Sequence, residues 1–341
     1  MNTLRERLPE LLHGTGFRDA GDPVRLGGGS SQENWAFDAI AETDGNRRAL
    51  LLRRAPAGGV VDTERDVEFG LLRSLAGSGL PIAAVHALDA DGSLMGRPAM
   101  IVDRVAGRAD RAALRDRDPL QLGRDGRMSL AQELADLLGA VHRVDPPATG
   151  LVDVLRVPTD PGHAELERWT AELDRVELEP HPALRETIAW LGDHVPPPSP
   201  IRLVHGDFRP ANVLVDGQRI SALLDWELAH LGDAHDDLGW YTCSVYRAEH
   251  FIDGRWGVED FLRRWSQASG IEVDHDRLHF WQVMTALRLA VIALTGVRAF
   301  CEGITDRPAG PADRIERLAL RETGLLEDSD DHTRERPGGQ R

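Results

Sequence analysis

The spacing of apolar residues divides the chain into a strand-rich first part and a longer helix-rich part. Between residues 24 and 105, short apolar stretches alternate with glycine and Asp-Gly turns, which is typical of antiparallel strands joined by hairpins. One helical repeat interrupts the strands through Val67, Leu71, Leu72 and Leu75, and two glycines follow it closely. We therefore predict a small antiparallel sheet of five strands with one helix over residues 1–104.

From about residue 107 the apolar residues recur at helical spacing. Ser129 and Gln132 form a capping-box pattern ahead of an apolar face, which predicts a core helix that begins near Ser129. Later helical faces cover residues 164–176, 258–268 and 277–300, and their tryptophans at positions 169, 265 and 281 are expected in the core. The fold class is therefore predicted as α+β, with a larger, mainly helical lobe over residues 105–326. The polar residues 327–341 predict a disordered tail.

Charge and cysteine content exclude several classes of function. The chain has 56 acidic and 40 basic residues, all of the basic ones arginine, and a formal net charge of −16. No nucleic-acid partner is expected, because phosphate backbones bind clustered basic surfaces. Two cysteines are too few for a disulfide framework or a zinc site. The N-terminus has no apolar signal core and the apolar run near residues 289–297 is too short to span a bilayer, so we expect a cytoplasmic protein without a membrane partner.

Candidate chemistry is concentrated in LVHGDFRPANVLV, residues 203–215. Its two apolar runs predict short buried strands that present His205, Asp207 and Asn212 on a turn. A third apolar run ends in Asp225. Two carboxylates and an amide at one point conflict unless a cation is present, and a hard divalent ion held by Asn212 and Asp225 removes the conflict. Asp207 then stays free to accept a proton from an attacking hydroxyl.

These segments resemble those of a known family. HGDFRPANVLV, from residue 205, resembles the catalytic loop of the aminoglycoside phosphotransferase and choline kinase family, which has a protein-kinase-like fold. LLDWELAHLGDAHDDLGW, from residue 223, resembles that family's metal-binding segment. GGGSSQENWAFD and LLLRRAP, from residues 27 and 50, are similar to a bacterial branch of phosphotransferases and to kinase-like domains fused to some acyl-CoA dehydrogenases.

The resemblance implies a role for each matched position. Asp207 would be the catalytic base, His205 would brace the loop, and Asn212 and Asp225 would hold Mg²⁺. The glycine turn would cover the ATP phosphates, Arg53 would replace the usual lysine and pair with Glu68, and a hinge near residue 102 would hold adenine. The cofactor-binding residues are then Gly27, Gly28, Gly29, Ser30, Ser31, Arg53, Glu68, Val102 and Arg104. Because neighbouring strand residues face opposite sides, Arg54 is the alternative to Arg53.

The predicted activity is transfer of the γ-phosphoryl group of ATP, with Mg²⁺, to a hydroxyl of a small molecule. The acceptor is left open between an aminoglycoside, a hydroxylated metabolite and a hydroxyacyl thioester. Two other functions stay open: a nucleotide-binding pseudokinase, and a metal hydrolase with His205, Asp207 and Asp225 as ligands. Arg288, in an apolar helix, predicts either a buried ion pair or a substrate contact. The sequence carries no signal for the oligomeric state.

Overall fold

A computed structural model describes residues 2–27, 32–55, 65–305 and 312–324 of the 341-residue chain. The first lobe contains two helices and six strands among these residues. They are α1 (Asn2–Leu11), β1 (Phe17–Arg18), β2 (Val24–Arg25), β3 (Glu33–Ala41), β4 (Arg47–Arg54), α2 (Arg65–Ser74), β5 (Val85–Asp89) and β6 (Ala99–Asp103).

The strands of the first lobe form one antiparallel sheet in the order β1-β3-β4-β6-β5, with β2 also paired to β3. Cross-strand neighbours such as Trp35 and Leu52, or Phe37 and Leu50, pack against Leu8 of α1. The sequence predicted five strands rather than six, because β1 has two residues and is too short to show alternation.

The second lobe is mainly helical. Its elements are α3 (Gly123–Arg143), α4 (Pro146–Thr149), α5 (Pro161–Val176), α6 (Pro182–Asp193), β7 (Arg202–Val204), β8 (Val213–Asp216), β9 (Arg219–Leu223), β10 (His230–Gly232), α7 (Ala234–Thr242), α8 (Arg247–His250), α9 (Val258–Ser269), α10 (His275–Cys301) and α11 (Ala312–Glu322). β7 pairs with β10 and β8 pairs with β9, both antiparallel. The α+β class with two lobes is thereby confirmed. The predicted tail, residues 327–341, lies outside the described residues.

The largest hydrophobic core joins the two lobes. It contains Leu71 of α2, Met100 of β6, Leu134 of α3 and Trp265 of α9. At Gly70 of α2 an added Cβ would lie 3.0 Å from a methyl carbon of Val154, so the helix and the second lobe are in close contact. A separate core holds α5, α6, α10 and α11 together. The catalytic segment predicted from the sequence therefore lies in a framework that fixes α2 relative to it.

The start of α3 differs from the prediction. The helix begins at Gly123, six residues before Ser129, so the capping-box pattern lies inside the helix. Asp118 explains the earlier start, because its two carboxylate oxygens accept the backbone amides of Leu122 at 2.8 Å and Gly123 at 2.7 Å. A carboxylate that accepts the free amides of a first helical turn stabilises that turn.

The apolar run near residue 290 belongs to the 27-residue helix α10. By length and composition α10 is long and apolar enough to cross a membrane, so the expectation that this run is too short was wrong. In its most apolar window, 56% is buried inside the protein, as in a core helix. Arg288 in this window is fully buried and donates to Asp236. Of the two possibilities left open for Arg288, the structure shows the buried ion pair. Trp169, Trp265 and Trp281 are core residues, as predicted.

Candidate active site

The hairpin β8–β9 brings the two predicted metal ligands to one place. Val213 pairs with Leu223, and the amide of Leu224 donates to the carbonyl oxygen of Asn212 at 2.8 Å. Asn212 and Asp225 therefore lie next to each other at the same open end of this hairpin. Asp225 adopts the left-handed conformation, with φ of 57°, and its side chain is 47% exposed.

Asp237, at the buried side of the loop, fixes its start. Its carboxylate accepts the backbone amides of His205 and Gly206, both at 2.8 Å, and lies 3.0 Å from His142 Nε2. Burial raises the pKa of Asp237, but the hydrogen bonds and charges of His142 and His205 outweigh it, so its pKa lies below the ordinary value. Asp237 thus braces the loop, and Asp233 caps α7 by accepting the amide of His235 at 2.9 Å.

His205 and Gly206 shape the turn before Asp207. His205 Nδ1 accepts the amide of Asp207 at 3.2 Å, and its Nε2 donates to the carbonyl oxygen of Leu224 at 2.9 Å. His205 thus ties the loop to the residue before Asp225. Gly206 has φ of 80°, and a Cβ there would lie 2.5 Å from the carbonyl oxygen of Leu228. Only glycine fits at such a position.

The two carboxylate oxygens of Asp207 have different surroundings: Oδ2 accepts a hydrogen bond, and Oδ1 lies 3.0 Å from Arg209 Nε without an aligned hydrogen bond. Asn212 Nδ2 donates to Oδ2 at 2.7 Å and also to the backbone oxygen of Asp207 at 2.9 Å. Oδ1 is buried and accepts no aligned hydrogen bond from the described residues. Burial raises the pKa of Asp207, and this exceeds the opposing effects of Arg209, His205 and Asn212. A proton can be accepted at Oδ1, as the predicted role of a general base requires.

Carboxylates crowd the region beside Asp207. Burial raises the pKa of Glu227, and the charges of Asp225 and Glu68 raise it further. Such crowding is relieved by a cation, and Asn212, Asp225 and Glu227 offer the oxygen ligands that Mg²⁺ prefers. The residues present therefore fit a magnesium site, in which Glu227 is an addition to the two ligands predicted from the sequence.

The first lobe presents Arg53 to this region. Arg53 Nη1 donates to Glu68 Oε1 at 2.7 Å, and its Nη2 lies 3.8 Å from Asp225 Oδ1. Its Nε donates to Gln32 Oε1 at 2.8 Å. Arg54 instead donates to Glu33 and to the carbonyl oxygen of Met95, on the other side of the sheet. The structure thus brings Arg53, and not Arg54, to Glu68 and Asp225.

Sequence reasoning missed three residues here: Gln32, Arg65 and Arg209. Arg65 is buried, donates to Glu68 Oε2 at 2.7 Å, and makes Glu68 the shared partner of two guanidinium groups. The three-residue spacing of Arg65 and Glu68 on a predicted helix was the one signal available for this pair. Gln32 reaches the site through a tertiary contact with Arg53 that no local pattern indicates. Arg209 lies in the predicted loop itself, two residues after Asp207.

The other predicted nucleotide-binding residues lie in the glycine turn and at the end of β6. Gly27 is exposed, while Gly28, Gly29, Ser30 and Ser31 lie outside the described residues. Val102 is a buried residue of β6, and Arg104 is exposed. The Arg104 amide donates to the carbonyl oxygen of Ala49 at 2.9 Å, so this amide is already used within the sheet. The adenine hinge at Val102 and Arg104 stays a prediction.

A second cluster of possible metal ligands is balanced by its own charges. Glu165, His230 and Asp236 offer ligand atoms within 4.8 Å of one another. Arg288 forms an ion pair with Asp236 and lies 3.6 Å from Glu165. Burial lowers the pKa of His230, but Glu165 and Asp236 raise it more. Burial likewise raises the pKa of Glu165, yet His230 and Arg288 bring it to about 2. Arg288 and His230 are thus the neighbours of these two carboxylates in the described structure, and this cluster carries no metal assignment here.

Both ring nitrogens of His205 are already bonded, to the amide of Asp207 and to the carbonyl oxygen of Leu224. A histidine that ligates a metal must leave one ring nitrogen free. The geometry therefore argues against a metal hydrolase with His205, Asp207 and Asp225 as ligands.

Comparisons with known proteins agree with this geometry. The mouse acyl-CoA dehydrogenase family member 10 is 31% identical over 269 residues, which cover 73% of this chain and 24% of that relative. This chain thus spans a quarter of that curated relative. A solved protein of Ralstonia eutropha, described as an aminoglycoside phosphotransferase, superposes with a TM-score of 0.68 at 23% identity, over 95% of this chain and 96% of the other. An aminoglycoside phosphotransferase solved with ADP and hygromycin B superposes with a TM-score of 0.51 at 18% identity, over 88% of this chain and 95% of the other.

The two structural likenesses show the fold, so the predicted protein-kinase-like fold is confirmed. Residues 24–281 match the family model described as the phosphotransferase enzyme family. This match covers more than half of the chain. The chain therefore belongs to the phosphotransferase enzyme family.

Proposed function

We propose that this chain transfers the γ-phosphoryl group of ATP to a hydroxyl group of a small molecule, with Mg²⁺ as cofactor. The observation that carries the proposal is the state of Asp207: Asn212 fixes one carboxylate oxygen, and the other is buried without an aligned donor among the described residues. A carboxylate prepared in this way suits proton removal from an alcohol. Family membership supports the reaction class.

In the proposed reaction, the acceptor oxygen forms a bond to the γ-phosphorus while the bond between that phosphorus and the β–γ bridging oxygen breaks. The hydroxyl proton passes to Asp207 Oδ1, and ADP leaves with the bridging oxygen. Asn212 keeps Asp207 oriented, and His205 holds the loop against the strand that ends at Asp225. Asn212, Asp225 and Glu227 would hold Mg²⁺, which neutralises phosphate charge when bound. Arg53, beside Asp225, supplies a further positive charge on the nucleotide side.

Two kinds of hydroxyl compound are supported as the acceptor. A similar solved phosphotransferase binds hygromycin B, which supports an aminoglycoside-like acceptor. The mouse relative is an acyl-CoA dehydrogenase family member, which supports a hydroxylated metabolite or a hydroxyacyl thioester. Neither likeness selects between them.

A coupled assay of ADP release, with and without candidate alcohols, tests the proposed reaction. ADP release is expected to require Mg²⁺ and to fall to background in excess EDTA, because the crowded carboxylates and the triphosphate then lack their shared cation. Calorimetric titration with ATP is the parallel measurement. ATP binding without any turnover would instead support the pseudokinase alternative, and release that continues in EDTA would contradict the magnesium proposal.

Replacing Arg53 by Gln is expected to raise KM for ATP by about tenfold or more, since a charge-assisted contact on the nucleotide side is lost. The same change leaves Glu68 with Arg65 as its single arginine partner within hydrogen-bond distance among the described residues. Arg54→Gln, one residue on, is the matched control, because Arg54 contacts Glu33 on the other side of the sheet. Steady-state kinetics at varied ATP decide the matter: an equal rise in KM for both variants would contradict the role given to Arg53.

A further inference from the structure

The Oδ1 oxygen of Asp207 lies beside the guanidinium group of Arg209. The distance from Arg209 Nε to Asp207 Oδ1 is 3.0 Å, but the N–H of Arg209 does not point at this oxygen. The Nε atom is therefore buried without a hydrogen-bond acceptor among the described residues. Asp207 is also the single acidic side chain of the described part of the chain that lies within 4.0 Å of Arg209. An acceptor whose hydroxyl reaches Asp207 Oδ1 therefore lies next to Arg209, whose Nε–H has no hydrogen-bond acceptor among the described residues.

The protein surface beyond Arg209 continues with Tyr246 and helix α8. Burial raises the pKa of Tyr246, and the charges of Arg209 and Asp207 act on it in opposite directions, which places the phenol near both. Glu249 of α8, whose charge also acts on Tyr246, is buried. Arg111 donates to one oxygen of Glu249 through both Nε and Nη2, and Arg115 Nη2 lies 3.6 Å from the same oxygen.

Arg209 differs from the other arginines of this region in its partners. Arg111 and Arg115 share Glu249, which offsets their charge. Arg209 has Asp207 alone as a carboxylate partner within 4.0 Å among the described residues, and the nearby carboxylates of Asp225 and Glu227 are those proposed to hold Mg²⁺. An anionic group of the acceptor would be attracted to Arg209 and a cationic group repelled by it.

We propose that the acceptor is a hydroxylated anion, with a carboxylate or phosphate group near the reacting hydroxyl, and that Arg209 binds this anionic group. The planar fork of arginine matches the two oxygens of either oxyanion. This inference rests on the proposed phosphotransfer and narrows its acceptor. It selects against the aminoglycoside among the acceptors considered above.

Two matched series of acceptors test the charge preference. The carboxylate series is 3-hydroxybutyrate, 1,3-butanediol and 4-amino-2-butanol, and the phosphate series is glucose 6-phosphate, glucose and glucosamine. Within at least one series, the anion is expected to have a kcat/KM about tenfold or more above the neutral and cationic members, since a charge-assisted hydrogen bond is worth roughly that factor. The series in which the anion has the higher kcat/KM shows whether the anionic group is a carboxylate or a phosphate.

The result that overturns the inference is a preference for the neutral or cationic member in both series, or turnover of an aminoglycoside such as kanamycin with no anion accepted. Calorimetric titration of the ADP-bound protein with each compound adds a readout that needs no turnover. If Asp207-dependent hydrolysis of ATP is present and no anion is either turned over or bound, the inference is wrong while the phosphotransferase proposal stands. If ADP release does not depend on Asp207, the phosphotransferase proposal itself fails.

Variants at position 209 assign the recognition to one side chain. Arg209→Gln is expected to raise KM for the anionic acceptor by about 10- to 100-fold and to leave KM for ATP within about twofold. Arg209→Lys keeps the charge and is expected to restore part of the loss. Arg263→Gln is the matched control, because Arg263 is exposed on α9 and pairs with Asp260 on the same helix. A rise in KM for ATP rather than for the acceptor would place Arg209 on the nucleotide phosphates and overturn the inference.

Discussion

Asp207→Asn is expected to lower kcat by about a hundredfold to ten-thousandfold while ATP still binds. Asparagine keeps the size of the side chain and an oxygen that can accept from Asn212, but it cannot take the proton of the acceptor. Steady-state ADP release gives the rate, and calorimetry gives the affinity for ATP. Asp216→Asn, on the exposed end of β8, is the control on the same hairpin. Turnover close to that of the parent would refute the base assignment.

The pKa of Asp207 adds two further expectations to the same variant. Burial raises this pKa, so the charged form costs folding free energy at neutral pH, and the uncharged asparagine is expected to give a Tm at least as high as the parent's. The parent's kcat/KM is expected to fall as the pH drops through this raised value, because the base becomes protonated. A clear loss of Tm in the variant would show that the carboxylate stabilises the fold.

Asp237→Asn is expected to destabilise the protein by about 3–5 kcal/mol, the usual cost of breaking a buried charged network. Its amide group would direct hydrogens toward the donors of the loop or of His142, where the carboxylate now accepts. The loop that carries Asp207 depends on these contacts, so kcat is expected to fall as well. Urea denaturation measures the free energy of unfolding, and Asp253→Asn, at an exposed turn, is the control.

The pH dependence of this effect has a definite sign. The pKa of Asp237 in the folded protein lies below its ordinary value of 3.8. Its contribution to the free energy of unfolding is therefore complete well above pH 3.8 and is lost as the pH falls through the folded pKa. The difference between parent and variant is therefore expected to be the same at pH 7 and pH 5.5 and to shrink below about pH 4. Equal stability of the two proteins at pH 7 would contradict the bracing role of Asp237.

The sequence predicts the geometry of the proposed catalytic loop because the candidate residues are neighbours in the chain. Asp207 and Asn212 are five positions apart, and one turn between two apolar strands is enough to bring them together. Asp225 follows the partner strand of the same hairpin, so strand pairing alone places it beside Asn212. Local patterns and one hairpin thus account for the centre of the candidate site.

Residues whose role depends on distant contacts were not predictable in the same way. Gln32, the residue before β3, contacts Arg53 of β4, and the folding of the second lobe brings the charge of Arg209 close enough to Tyr246 to act on its pKa. The start of α3 was misplaced for a related reason. Ser129 fits the local capping rule, but Asp118 accepts the first-turn amides from a preceding turn that local periodicity does not reveal.

The position of α2 is fixed both by charge and by packing. Its Glu68 is held by Arg65 from the same helix and by Arg53 from the sheet, while Gly70 lets the helix press against Val154 of the second lobe. An outward swing of this helix would break the buried ion pair between Glu68 and Arg53, while Arg65 would move together with Glu68 because both lie on α2. The same movement would expose apolar surface of the core that the two lobes share. The fold itself therefore holds Glu68 in its place beside Arg53.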